Sequence, residues 1–330
     1  MRVPQKVFVA GPASAVRHAI VRRLTASGLP AEQIDTWDTT CLDSQDPLAV
    51  RAYLRIQAPD QIYIAAGPWG RQADCVDHRG SYLADALLGQ AQLIHEAMFA
   101  GIRNLLFIAS HQVYGRCPVL PIAEEDLAHA CACSYREPVA IGHLAAIRLC
   151  EAYMHQYGEA LDLTYRSVVV GNVYGPGDTL ENSRTGELLA LVRQIDQAKG
   201  ANLSSLKIRS SGLRREDWLH ADDMAAACIG LLGLPASKHQ FLTDANRPHI
   251  NLGSGEPSTT MQLAQAVARV VGYRGELLPD SCNVDEGPDF FLDTRRMRST
   301  GWKPQVTLDA GIAEMYQDYL RQVQETEATS

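Results

Sequence analysis

Several side chains in this 330-residue sequence are of types that do chemistry. Ser110 and His111 are adjacent, His143 follows 32 residues on, and Tyr135 lies between them. A serine and a histidine suggest a hydrolase if an acid such as Asp126 or Glu125 orients the ring. Neighbours on a strand point to opposite faces, however, so Ser110 and His111 do not readily pair. His143 titrates near neutrality in water and suits general acid–base work, although a lone histidine also serves as a satisfied interior group. His129, Cys131 and Cys133 alternate along one stretch and offer soft metal ligands. No second ligand pair has matching spacing, so no metal site is expected. Gly11-Pro12-Ala13-Ser14 lacks the Lys-Ser/Thr of a P-loop, which removes nucleotide triphosphate hydrolysis.

The elements that hold these residues alternate. Residues 6–10 read as a buried strand stopped by Gly11, and residues 15–27 as a helix closed by Gly28. Further strands are expected at 61–66, 104–110 and 162–170, with helices at 82–101 and 138–158. Pro138 at the start of that last helix leaves Tyr135 ahead of the first turn. Near-continuous apolar strands separated by helices imply a parallel sheet covered on both faces. The fold class is therefore α/β, a Rossmann-type doubly wound parallel sheet with a smaller mixed α/β substrate lobe. We place the boundary between residues 1–171 and 172–330, with some interchange of segments. The second part should contain helices at 188–197, 224–234, 259–271 (N-capped by Ser258) and 308–324, and strands at 206–209 and 249–252. Residues 325–330 should fray.

Composition narrows the classes. A net charge of −8 argues against nucleic acid and anionic membrane as partners. No apolar run approaches the ~20 residues of a membrane span, and the N-terminus reads directly into a strand without a secretory signal. The eight cysteines are scattered, as in a reduced, cytoplasmic protein.

The stretches Val7-Phe8-Val9-Ala10-Gly11, Leu149-Cys150-Glu151-Ala152-Tyr153, Leu219-His220-Ala221-Asp222-Asp223-Met224 and Asn251-Leu252-Gly253-Ser254-Gly255 occur in that order. Together they resemble the extended short-chain dehydrogenase/reductase superfamily (the NAD-dependent epimerase/dehydratase family). Within it they are most similar to the GDP-L-fucose synthases, over residues 6–320. The resemblance implies a Rossmann fold, an NADPH-dependent epimerase-reductase activity on a GDP-sugar, and dimers built by the helices at 82–101 and 138–158.

The same resemblance locates departures on the chemistry. The three glycines of the family's dinucleotide turn correspond to Gly11, Ser14 and Arg17, and the family's adenine-contacting aspartate to Asp43. The two arginines for the NADPH 2′-phosphate correspond to Ala13 and Thr36. The Tyr-x-x-x-Lys pair reads Val139 and His143, and valine has no proton to give. Ser110 matches the catalytic serine, whereas the epimerisation cysteine and histidine read Gln112 and Gly186. On the second lobe, Glu216 and the pair Asp289 and Phe290 stand where the family has cations for the diphosphate. Arg209 stands at the tryptophan near the guanine, and Arg214 or Arg215 could replace the lost arginine after a one-residue slip. Trp37 and Trp69, at strand ends, would plug an empty cofactor groove or stack on a planar ligand.

The leading expectation is thus a catalytically degenerate homologue of the GDP-L-fucose synthases with a non-catalytic binding, scaffolding or regulatory role. It would form a homodimer or a heteromer with a related sugar-nucleotide enzyme, with a nucleotide or nucleotide-sugar as possible ligand. The alternative is an NAD(P)-dependent nucleotide-sugar epimerase/reductase with a rebuilt proton path, its catalytic candidates Ser110, His111, Tyr135 and His143. A ligand sensor is the third. For the cofactor, both none and NAD(P), held by Gly11, Ser14, Arg17 and Asp43, stay open.

Overall fold

The structure, a computed structural model, describes residues 6–37, 46–65, 78–115, 119–129, 137–178, 187–280 and 288–329. The strands β1 (Val7–Ala10), β2 (Ile34–Trp37), β3 (Gln61–Ala65), β4 (Asn104–Ser110) and β5 (Thr164–Val170), with Ile250–Leu252, form one sheet. All its pairings are parallel, in the order 250–252, β5, β4, β3, β1, β2.

Period-two alternation fills both faces. Phe8, Ile62, Ile64, Leu105 and Phe107 enter one core with helices α2 (Pro47–Gln57), α3 (Arg79–Phe99) and α4 (Glu137–Leu161). Val7, Val9, Tyr63, Leu106 and Ile108 enter the other, with α1 (Ala15–Ala26) and α6 (Ala221–Leu232). A strand buried on both sides must be apolar throughout, and so the expected doubly wound parallel sheet forms. From β1 the chain leaves to β2 on one side and returns to β3 on the other, which opens a crevice at the carboxyl ends of these strands.

The second lobe has its own core, in which Leu188, Val192 and Ile195 of α5 (Glu187–Gly200) meet Ala264, Val267, Ile312 and Met315. The chain does not divide cleanly at residue 171. The strand Ile250–Leu252 and α6 follow that point yet pack in the first lobe. Buried Arg166 on β5 ties α6 in place, donating to the carbonyls of Leu231, Leu232 (3.2 Å) and Leu234 (2.7 Å) at its end.

Two local expectations change. The helix Thr260–Val271 is capped by Thr259, one residue after Ser258, in a capping box with Gln262. The last helix runs Leu308–Thr329 instead of fraying at 325; Thr326 Oγ donates to the Gln322 carbonyl within that final stretch. Among the described residues, no helix is long and apolar enough to cross a membrane.

Candidate functional site: a dinucleotide crevice and a second-lobe cavity

The crevice begins at Gly11. Its φ is +130°, and a Cβ there would lie 2.4 Å from the Ala65 carbonyl oxygen, so only glycine lets the turn pass the end of β3. Ser14 caps α1, its hydroxyl accepting from the Arg17 N–H at 3.4 Å. Arg17 does not wedge between helix and sheet. Its Nη1 donates to the Gly11 carbonyl at 3.0 Å, which folds the cation over the turn. A helix N-terminus with a guanidinium beside it suits a pyrophosphate. The residues here fit a dinucleotide, although the cradle is built from one glycine and one arginine instead of three glycines. Asp178 also reaches this turn and accepts from the Ala15 N–H at 3.4 Å. Burial raises its carboxyl to about 6, with Asp318 adding to the effect. The only sequence signal for that contact is the turn Gly175-Pro176-Gly177-Asp178. At the far end, Thr36 is exposed and Asp35 accepts from the Tyr53 hydroxyl. Asp43, Tyr135, Gly186 and Trp69, with the Trp37 side chain, lie outside the described residues.

The reaction end is formed by β4 and α4. Val139 occupies the position read as the family's tyrosine and packs in an apolar cluster with Tyr82 and Ala86. One turn later, His143 is 2% exposed, and its Nδ1 accepts the Ser110 backbone N–H at 3.2 Å. Burial, with the His111 charge adding, lowers His143 to about 4. The ring is therefore neutral at pH 7, and it fixes the backbone of Ser110. A ring so depressed is a poor general acid near neutrality.

Ser110 closes β4, and its hydroxyl accepts from the Gln112 N–H at 3.3 Å. His111 then opens the short turn His111–Tyr114, so Ser110 and His111 are no longer strand neighbours. The His111 ring lies 4.5 Å, centroid to centroid, from Phe290, which arrives from the second half of the chain. A buried lock holds this turn: the Tyr114 hydroxyl donates to Asn251 Oδ1 and receives from His249 Nε2, both at 2.6 Å. Sequence reading misses that lock, since its members are 135 and 137 residues from Tyr114. A hydrolase triad does not assemble here. Asp126 accepts from the Ala123 N–H, and Glu125 pairs with Arg247 and Arg296.

On the second lobe, a cavity of about 350 Å³ is lined by Gln194, Arg209, Arg214, Glu216, Trp218 and Thr260, among others. Arg214 faces this cavity and pairs with Glu216 at 2.8 Å. Arg215 turns away to Asp289 at 2.7 Å and lies over Phe291. Of the two arginines offered for a slip, the cavity receives Arg214. Arg209 also lines it.

His220, Asp222 and Glu314 are the described residues grouped closely enough to suggest a metal. Yet His220 Nδ1 accepts the Asp222 N–H, and Arg22 already claims the Asp222 carboxylate at 2.6 Å, so the group caps α6 and ties it to α1. Cys131 and Cys133 lie outside the described residues, as does the His129 side chain.

Residues 8–253 match the model of the NAD dependent epimerase/dehydratase family. The chain belongs to that family. Among its curated members, it is 34% identical to the GDP-L-fucose synthase of Escherichia coli (strain K12), over 96% of this chain and 97% of that protein. It is 30% identical to the GDP-L-fucose synthase of Sinorhizobium fredii (strain NBRC 101917 / NGR234), over 97% and 96%. These family members, like the chain, are of the extended short-chain dehydrogenase/reductase type. In fold, the chain is similar to a GDP-D-glycero-L-gluco-heptose synthase from Campylobacter jejuni solved in the presence of NADPH. The TM-score is 0.86 at 23% identity, covering 97% of this chain and 99% of that one. It is also similar to a GDP-L-fucose synthetase from Naegleria fowleri, with TM-score 0.84 at 16% identity, covering 98% and 97%.

Proposed function

We propose that this chain binds an NAD(P) dinucleotide along the Gly11 turn and a nucleotide-sugar in the second-lobe cavity, and that it reduces the sugar's keto group. The whole-length likeness to GDP-L-fucose synthases supports this substrate class over the non-catalytic role that the sequence alone places first. The observation that carries the chemistry is His111, a histidine ring packed against Phe290 on the turn that follows Ser110, the match to the family's serine.

A bound nicotinamide supplies the hydride. The chain supplies the rest: as the carbonyl carbon gains that hydride, the C=O π pair moves to oxygen and a proton must reach it. In this reading the protonated His111 gives that proton, and the Ser110 hydroxyl holds the oxygen. His143 keeps the Ser110 backbone fixed, and Tyr114 with His249 and Asn251 keeps the His111 turn in place. Ser14, Arg17 and the α1 N-terminus hold the pyrophosphate.

The test is oxidation of NADPH or NADH in the presence of GDP-linked 4-keto sugars, with direct binding measured in parallel. We expect turnover in the wild type, and a loss of about 100-fold or more in His111→Asn with dinucleotide affinity retained. Binding of both ligands without any oxidation, even in a single turnover, rejects the reductase reading.

That result would favour the second reading, a binding or scaffolding protein. One observation supports it: Val139 fills the tyrosine position with an apolar contact. Its partner would be a second copy or a related nucleotide-sugar enzyme docked on α3 and α4, with Leu88 and Phe99 of α3 half exposed.

A further inference from the structure

The second-lobe cavity carries its own counter-charge. Arg214, just before the short strand Arg215–Glu216, lines it, and its Nη2 lies 2.8 Å from Glu216 Oε1. The pair is sheltered, with 26% of the arginine side chain and 10% of the glutamate side chain exposed. Asn172 Nδ2 donates to the same glutamate oxygen at 3.4 Å, so Glu216 is held from a second side. Arg215 is committed elsewhere: its backbone N–H and Nε donate to Asp289 at 2.9 and 2.8 Å. The remaining charges on the cavity wall are Arg209 and Glu187, which leaves the lining formally balanced.

A surface ion pair made only for stability has no need of a 350 Å³ cavity with apolar walls at Leu191, Ile208 and Trp218. A guanidinium at the edge of such a cavity suits a phosphate, and here its Nη2 is already paired with a carboxylate while its Nε donates to the Pro288 carbonyl at 3.2 Å. We propose that Glu216 is a built-in phosphate surrogate that sets what this cavity accepts. It holds Arg214 in the free protein, and a nucleoside diphosphate binds by exchanging its own anion for the glutamate's. Glu216 stays behind on Asn172, close to the diphosphate, and weakens its binding by like-charge repulsion. The cavity thereby discriminates against the charge of the ligand and leaves recognition of the nucleoside unaffected. This rests on the nucleotide-sugar reading above.

The experiment is titration calorimetry of the full chain with GDP and with guanosine, for the wild type, Glu216→Gln and Arg214→Gln. Glutamine keeps the size and the acceptor of glutamate, and thermal melts check that each variant is folded. A full charge removed a few ångström from a phosphate in a partly buried site is worth more than about tenfold in binding. We expect Glu216→Gln to tighten GDP by at least about tenfold, steepen its salt dependence and leave guanosine unchanged, and Arg214→Gln to weaken GDP by a similar factor. If Glu216→Gln leaves GDP unchanged or weaker while Arg214→Gln weakens it, the surrogate role is overturned and the nucleotide site stands. Equal tightening of GDP and guanosine also overturns it, because the effect would then be packing instead of charge. If neither ligand binds to any of the three proteins, the nucleotide-sugar reading fails and the surrogate role fails with it.

Discussion

Acid should weaken this protein through His143, by an amount that follows from the site. The ring is buried against Ser110 and Phe107, and its proton affinity falls from the usual 6.5 to about 4. In the unfolded chain the same ring takes a proton near pH 6.5, so the unfolded state binds more protons between those limits. Stability is then fully present above pH 6.5 and is lost as the pH falls towards 4. The whole displacement corresponds to about 3 kcal/mol, of which about 2 kcal/mol is lost between pH 7.5 and pH 5. His249, wholly buried and lowered to about 3, acts in the same direction, so a falling wild-type curve proves nothing by itself. The informative quantity is the difference from His143→Gln, whose amide oxygen can still accept the Ser110 N–H but takes up no proton. Urea unfolding at the two pH values should show the variant losing about 2 kcal/mol less than the wild type. Equal losses in both proteins, or a His143 ring titrating above pH 6 by NMR, would refute the reasoning. The ring would then be a proton carrier at neutral pH, and α4 would return as the source of the catalytic proton.

Two further predictions concern the crevice and the frame behind it. Gly11→Ala places a Cβ 2.4 Å from the Ala65 carbonyl oxygen at a φ of +130°. We expect a cost of about 3 kcal/mol in unfolding free energy and a loss of NAD(P)H affinity exceeding tenfold by calorimetry; a variant that binds as the wild type does would show that the turn is not the dinucleotide cradle. Arg166→Met takes the donors from three carbonyls at the end of α6 and should cost about 3 kcal/mol by urea titration. A change below about 1 kcal/mol would mean that water satisfies those carbonyls.

Likeness to enzymes over nearly the whole chain and loss of the family's proton donor pull in different directions, and the structure shows where the tension lies. The sheet, Gly11 and the locked turn after Ser110 are in place, whereas Val139 and Glu216 stand where the resemblance puts a tyrosine and an arginine. Val139 packs against Tyr82 and Ala86, Glu216 pairs with Arg214, and neither residue disturbs the sheet.

The local sequence decided the strands and most of the helices. Val7–Ala10, Gln61–Ala65 and Asn104–Ser110 are apolar on both alternating sets of positions, and only a strand covered on two faces can bury them. Gly11 was also legible, because a glycine that ends a strand before a helix marks a backbone passage that no side chain permits. Side-chain direction and desolvation were not legible, since they depend on residues far away in the chain. His143 reads in the sequence as either a titratable group or an interior one, and it takes burial and the Ser110 amide to make it a neutral acceptor. Arg17 reads only as a departure from a glycine until its guanidinium is seen folded onto the Gly11 carbonyl, and Arg214 and Arg215 are equivalent until Glu216 and Asp289 separate them. Periodicity is a short-range property of the chain and survives in the sequence. The charge state and aim of a side chain are set by whatever the fold brings against it, and only the tertiary structure supplies that.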